Sequence, residues 1–183
     1  PATSYSRRFA GRSHLSPTKW WYPSTIAVDL DDLDLRIVGL LLKDGRSPAS
    51  QIADQVGLSR PAVADRIEKL ERLGVIKGTT VVVDARTLGR QITAFVAARG
   101  SVHLAPKATK MLRDIIDGDE VLEMHTVAGD DCYLLKVRTD SIASLNTLVG
   151  RLKEPPLSLS TRTTIVMQTH CEKVGGIDLG EAL

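Results

Sequence analysis

Between residues 47 and 73 the apolar positions fall at helical intervals, break once and resume. In the stretch SPASQIADQVGLSRPAVADRIEKLERL, Ala49, Ile52, Ala53 and Val56 stand three, four and seven apart, the spacing that lines one face of a short helix. Gly57 follows, where a helix that closes on a left-handed residue favours glycine. Ser59 is a good N-cap for a second helix, and Pro61 falls in its first turn, where a missing N–H costs nothing. That helix is predicted to bury Val63, Ile67, Leu70 and Leu73 while presenting Arg60, Arg66, Lys69 and Arg72 to solvent. Helix, glycine-containing turn and cationic helix form a helix-turn-helix pattern. Amphipathic helix pairs are also common packing units, and Lys/Arg on a helix surface is usually a solvated face. These residues alone leave both readings open.

Upstream, DLDDLDLRIVGLLLKDG predicts a further helix. Asp31 is its N-cap, Asp32 and Asp34 place negative charge against the helix dipole, and Asp44-Gly45 ends it. Leu33, Ile37, Leu40 and Leu41 form its expected buried stripe, so three helices share a small core. Downstream of Gly74, residues 75–76 and 79–83 read as β-structure around Gly78. They are either a small wing beside the helices or the strand leading out of the domain.

The second half has a different rhythm. Residues 91–100 (QITAFVAARG) read as a strand and 106–117 (PKATKMLRDIID) as a helix burying Met111, Leu112, Ile115 and Ile116. Residues 120–128 (EVLEMHTVA) and 132–139 (CYLLKVRT) read as strands joined by a Gly129-Asp130-Asp131 turn. Residues 141–152 (SIASLNTLVGRL) read as a helix burying Ile142, Leu145, Leu148, Val149 and Leu152, broken by Pro155-Pro156, and 159–173 as a last strand. The order β-α-β-β-α-β is the ferredoxin-like arrangement, whose helices cover one sheet face and leave the other for a second subunit. The expected fold class is α+β: an N-terminal winged helix-turn-helix domain at residues 29–83, a linker at 84–90, a ferredoxin-like αβ-sandwich at 91–174 and a tail at 175–183.

Charge and composition sharpen this division. Residues 1–90 hold 14 Lys/Arg against 10 Asp/Glu, and residues 91–183 hold 10 against 12, so the half with the helix pair is the basic one. Residues 1–28 concentrate Tyr5, Phe9, Trp20, Trp21 and Tyr22 among Arg7, Arg8, Arg12 and Lys19 without apolar periodicity. Three readings stay open for them: a flexible extension, a basic arm along DNA, or a segment docking its tryptophans on a neighbouring subunit. SRRFAG lacks the apolar run of an export signal, and no run approaches the ~20 apolar residues of a membrane span. Cys132 and Cys171 make no disulfide framework and have no metal-ligand partner at close spacing. A cytoplasmic protein with reduced, inert thiols and neither metal nor cofactor is expected.

The span from residue 29 to 173 resembles the Lrp/AsnC (feast/famine) transcriptional regulators. The residues that carry the likeness are LDDLDLRIVGLLLKDGRSPASQIADQVGLSRPAVADRIEKLERLGVIKG, HTVAGDDCYLLKVR and TRTTIVM. The resemblance implies a DNA-binding domain joined to an effector domain that dimerises and assembles further, to tetramers or octamers. Ser59, Arg60, Ala62 and Arg66 match the family's recognition helix, with Lys69 further along, and Ser47 and Asp65 are further candidates for DNA contact. Ser59 and Lys69 are then expected on phosphates of double-stranded DNA, and Arg60 and Arg66 on guanine edges. Asp65 would orient Arg66 or accept from a cytosine amine.

The resemblance also implies a small effector, commonly an amino acid, bound between subunits near the Gly129 turn. Thr126, Val127, Ala128, Gly129, Asp130 and Tyr133 match the family pattern there, with Thr164 and Val166 on the last strand, and His125, Asp131 and Cys132 are further candidates beside them. The family often has an aspartate before the tyrosine, where this chain has Cys132. Asp131, one place earlier, falls on the opposite side by strand alternation. The turn also reads as a plain hairpin connection, and His125 as a core or interface histidine, an effector contact or a pH-sensitive group. No base-and-nucleophile arrangement surrounds His125, so no catalytic residue is expected. The function expected is a ligand-responsive transcriptional regulator. An effector-independent architectural DNA-binding protein and a tetrapyrrole decarboxylase of similar layout are the alternatives. The latter would need more His, Arg and Tyr around a pocket than four histidines, one of them His14, and only two aromatics beyond residue 28 supply.

Overall fold

The computed structural model describes residues 28–101 and 103–173. The N-terminal extension expected at 1–28 and the tail expected at 175–183 lie outside the described residues, save Val28. Two compact units divide between Thr79 and Thr80, a few residues ahead of the linker expected at 84–90.

Among the described residues the first unit has three helices: α1 (Asp32–Lys43), α2 (Ala49–Val56) and α3 (Arg60–Arg72). Asp31 caps α1, its Oδ1 accepting from the Asp34 N–H at 2.7 Å. Ser59 caps α3 through a long 3.4 Å bond from the Ala62 N–H. Between α2 and α3, Gly57 takes φ +73°, the left-handed conformation that reverses the chain. Ile37, Ile52, Ala53, Val56, Val63 and Leu70 form the buried core, with Leu33, Leu40, Leu41 and Ile67 partly buried around it. Leu73 departs from expectation: it caps α3 beyond the last turn and is exposed, because the helical period no longer points it inward.

The wing is a second departure. Residues 79–83 form no strand among the described residues, and Val81, Val82 and Val83 are exposed. A strand needs a hydrogen-bonded neighbour, and none of the described segments pairs with this one, whatever its β propensity. Residues 84–90 then close a turn, in which Asp84 accepts from the Arg86 N–H and the Thr87 hydroxyl, each at 2.9 Å.

The second unit runs β1 (Ile92–Arg99), α4 (Pro106–Ile116), β2 (Val121–Thr126), β3 (Tyr133–Thr139), α5 (Ile142–Lys153) and β4 (Ser160–Ile165). Its four strands form one antiparallel sheet in the order β2-β3-β1-β4, the ferredoxin-like topology. Ala94, Val96 and Ala98 of β1 and Tyr133, Leu135 and Val137 of β3 share a core with Leu112 and Ile115 of α4 and Leu145, Leu148 and Leu152 of α5. Alternation sends Thr93, Phe95 and Ala97, and across from them Arg138, Lys136 and Leu134, to the opposite face. Both helices therefore cover one side of the sheet.

Three details correct the expected boundaries. The last strand ends at Ile165 rather than 173: its ladder with β1 closes at Ala94 and Ile165, followed by the Val166 N–H bond to the Thr93 carbonyl. Ile142, the first residue of α5, is exposed rather than buried. A bulge between Val121 and Glu123 turns Leu122 outward at the edge of the sheet.

Candidate DNA-reading helices and the strand-turn site

Helix α3 owes its placement to charges on α1 as well as to apolar packing. Asp34 is 0% exposed, yet it lies among the α1 residues that the period points inward, three before Ile37 and seven before Leu41. Its Oδ1 accepts from Arg66 Nη1 at 2.6 Å and its Oδ2 from Lys69 Nζ at 2.7 Å. Arg66 Nη1 also reaches both oxygens of Asp31, at 2.9 and 2.8 Å. Two carboxylates of α1 thus meet two cations of α3. Burial alone would raise the Asp34 pKa, but the hydrogen bonds from Lys69 and Arg66 outweigh it and hold the carboxyl below the ordinary 3.8. Asp31 is likewise held below 3.8, first by the Asp34 N–H and then by Arg66. Asp31 in turn pushes the Arg66 guanidinium further up. On the far side of α1, Arg36 donates to the Gln55 carbonyl at 2.8 Å and ties in α2.

The expected DNA-reading residues therefore separate into two groups. Ser59, Arg60 and Asp65 are exposed, while Ser47 and Ala62 are half-buried. Arg66 and Lys69 are engaged by α1, so the guanine and phosphate roles expected of them would require opening those ion pairs. Asp65 is not the group that orients Arg66; Asp31 and Asp34 are. The sequence reading took Asp34 only as a first-turn charge and missed this role. The available signal was its place on the inward side of α1 at the same interval as the apolar residues.

In the second unit, the turn between β2 and β3 is anchored by two arginines. Arg99 Nε donates to the Asp130 carbonyl at 2.6 Å, and Arg162 Nη2 meets Asp131 Oδ2 at 2.9 Å. Gly129 takes φ +135°, which glycine alone adopts readily. Val127 N–H bonds the Cys132 carbonyl at 3.0 Å and Cys132 N–H bonds that of Ala98 at 2.9 Å, which places the turn at the end of β1. Cys132 Sγ points at the Gly100 carbonyl, 3.1 Å away. Tyr133 is buried, with its hydroxyl 3.4 Å from the Ser101 carbonyl, and burial raises its pKa. His125 is exposed and lies 3.3 Å from Glu123, whose pKa it lowers.

His125, Thr126, Val127, Ala128, Gly129, Asp130, Asp131, Cys132 and Tyr133 are thus adjacent. Thr164 and Val166 are not. Thr164 pairs with Phe95, three rows from Ala98, or about 10 Å along the strands. Val166 instead lines a cleft of about 310 Å³ whose polar wall includes Asp84, Arg86, Arg90, Arg138 and Glu172. Among the described residues no three His, Cys, Asp or Glu side chains are grouped to hold a metal, and no helix is long and apolar enough to cross a membrane.

Comparison with known proteins agrees with both halves. The family model of the AsnC-type helix-turn-helix domain matches residues 30–71, and that of the Lrp/AsnC ligand-binding domain matches residues 93–175. The HTH-type transcriptional regulator FL11 of Pyrococcus abyssi is 32% identical over 145 residues, covering 79% of this chain and 94% of its own. The chain belongs to the Lrp/AsnC family. Among other members, the HTH-type transcriptional regulator LrpA of Mycobacterium tuberculosis is 34% identical over 140 residues, covering 76% of this chain and 91% of its own. A feast or famine regulatory protein from M. tuberculosis, solved in complex with L-methionine, superposes with a TM-score of 0.73 at 32% identity. It covers 82% of this chain and 100% of its own. This Lrp/AsnC chain is a transcriptional regulator with a helix-turn-helix DNA-binding domain and a ligand-binding domain, in a family of named regulators rather than enzymes.

Proposed function

We propose that this Lrp/AsnC protein binds specific double-stranded DNA sites as a dimer or a larger even assembly, and that an amino acid bound between its C-terminal units sets the affinity. The sheet face carrying Phe95, Leu134 and Lys136 supports dimerisation: both helices pack on the other side, and Phe95 is 40% exposed. A second copy is the simplest cover for it. Two α3 helices in such a dimer meet successive major grooves when they lie ~34 Å apart, so a small rotation between subunits changes affinity strongly. Arg60 is the α3 cation best placed for a guanine edge, with Ser59 and Ser47 toward phosphates and Asp65 toward a cytosine amine.

The effector reading rests on the likeness of the second unit to a relative bound to L-methionine. The turn at residues 129–132 is its proposed site, with Thr164 and Val166 contributing only from another subunit. A thermal-shift screen of the amino acids, read out by gel shift on the protein's own promoter, tests this. A true effector raises the melting temperature by mass action and changes the shifted species. One observation favours a second reading. Asp131 is already taken by Arg162, and Cys132 stands where the family often has a carboxylate, which leaves the exposed Asp130 as the turn's one carboxylate for an ammonium. No stabilisation at millimolar amino acid, with sequence-tolerant DNA binding, would establish an effector-independent architectural protein.

A further inference from the structure

Helix α3 carries Arg60, Arg66, Lys69 and Arg72 against Asp65, Glu68 and Glu71. By sequence it is a cationic helix. In the structure, Arg66 and Lys69 are paired with Asp31 and Asp34 of α1, which leaves two cations, Arg60 and Arg72, to count against three carboxylates of the same helix. The outer surface of α3 is therefore not basic.

We propose that Asp34 is a specificity-determining residue for DNA: by holding Arg66 and Lys69 against α1, it withholds both cations from the phosphate backbone. The inference rests on the reading of α3 as the DNA-contacting helix. Two features make the hold strong. The Asp34 side chain is fully buried, so water does not compete for either oxygen, and its two short bonds go to two different cations. Moving Arg66 or Lys69 to a phosphate would exchange a desolvated partner for a solvated one and leave a buried carboxylate short of a donor.

The consequence concerns discrimination. Phosphate neutralisation is the same on every sequence and supplies the non-specific part of affinity, whereas base edges supply the difference between sites. A recognition helix with its extra cations locked away binds random DNA weakly while keeping Arg60 for bases. Asp34 thus raises the ratio of specific to non-specific binding by lowering the denominator, and it fixes the rotation of α3 about its own axis at the same time.

The salt dependence of binding tests this, because a merely structural role would not change it in this direction. Fluorescence anisotropy with the full chain, on a promoter duplex and on a random duplex, gives the slope of log affinity against log salt for each variant. Each phosphate contact contributes about −0.9 to that slope. Asp34→Asn frees Lys69 outright and leaves Arg66 to Asp31 alone, so its slope on random DNA steepens by about 0.9, and by up to about 1.8 where Arg66 also leaves Asp31. Its non-specific affinity near 0.1 M salt rises roughly fivefold to tenfold per freed cation. Lys69→Ala made in the Asp34→Asn background then removes about 0.9 of that gain, while the same change in the parent alters the slope by less than about 0.3. An unchanged slope in Asp34→Asn, with its helix content intact by circular dichroism, overturns the proposal. If Asp34→Asn does not fold, Lys69→Ala in the parent decides alone: a loss of about 0.9 shows a phosphate contact and overturns the proposal, and a near-zero change supports it. A parent protein that binds neither duplex overturns the reading of α3 itself, and the role of Asp34 falls with it.

Discussion

Arg66 and Lys69 show how far a residue's charge is from its role. On the helical period of α3 they flank Val63 and Leu70, and the sequence alone reads them as solvent-facing cations. Their partners lie 32 and 35 residues away in Asp34, a separation that no local pattern reports. Asp34 itself was half legible, since its spacing from Ile37 is that of a core position while its chemistry is that of a surface one. This pairing has an acid limb. Asp31 and Asp34 have folded-state pKa values below their ordinary 3.8, so their contribution is complete above that value and is lost as pH falls through the lowered ones. Thermal melts between pH 6 and pH 2.5 should show the helical unit losing stability below about pH 4, and Asp34→Asn should flatten that part of the profile. At neutral pH the same substitution is expected to cost about 2 kcal/mol in urea unfolding, the scale of hydrogen bonds to charged groups. Arg60 makes the opposite case, being exposed with α3 as its only support. Arg60→Ala should weaken binding to a specific site by about 1–3 kcal/mol with little change in melting temperature.

At the scale of elements, every helix and all four strands were legible from period and punctuation, with most boundaries within two residues. Gly57, Ser59 and Pro61 located the turn of the helix pair because each solves a local backbone problem that a single residue can solve. Gly57 offers a clean test. A Cβ added there would meet nothing within 4 Å, so Gly57→Ala is penalised only for its left-handed backbone, by about 1–2 kcal/mol of unfolding free energy. A loss well below that range would mean that the turn relaxes. What failed were elements whose limits are set by a partner. The strand β4 stops where its pairing with β1 ends, at Ile165 opposite Ala94, and residues 79–83 have the valines of a strand without a neighbour to pair with. Strand propensity measures fit to a pleated, half-buried surface, and such a surface is a property of the whole sheet.

For the molecule as a whole, the division into a helical unit and a ferredoxin-like unit was legible, and so was the sheet face that the helices leave open. The chemistry of that face was less so. Besides Phe95 it presents Lys136 bonded to both Glu123 and Glu172, and Arg138 paired with Glu172 at 3.6 Å, so its charges are already matched within one chain. A face of this kind can be buried against a copy of itself without stranding an ion. Phe95→Glu places a new charge at its centre and is expected to shift the protein toward monomer in sedimentation velocity. DNA affinity should fall with it, because two half-sites are no longer held together. A variant that sediments as the parent does would move the subunit contact to another surface. The effector site was the least legible part, because its proposed walls come from more than one subunit and strand register keeps Thr164 and Val166 away from the turn.

One atom described above links two parts of the first unit that are far apart in sequence. Asp31 Oδ1 accepts from the Asp34 N–H that starts α1 and from the guanidinium of Arg66 on α3. Positions 31 and 66 should therefore vary together among relatives. A chain with a neutral residue at 66 is free to open α1 with serine or threonine, which cap as well but carry no charge. A chain that keeps arginine there gains a second carboxylate for it, beside Asp34, by keeping aspartate.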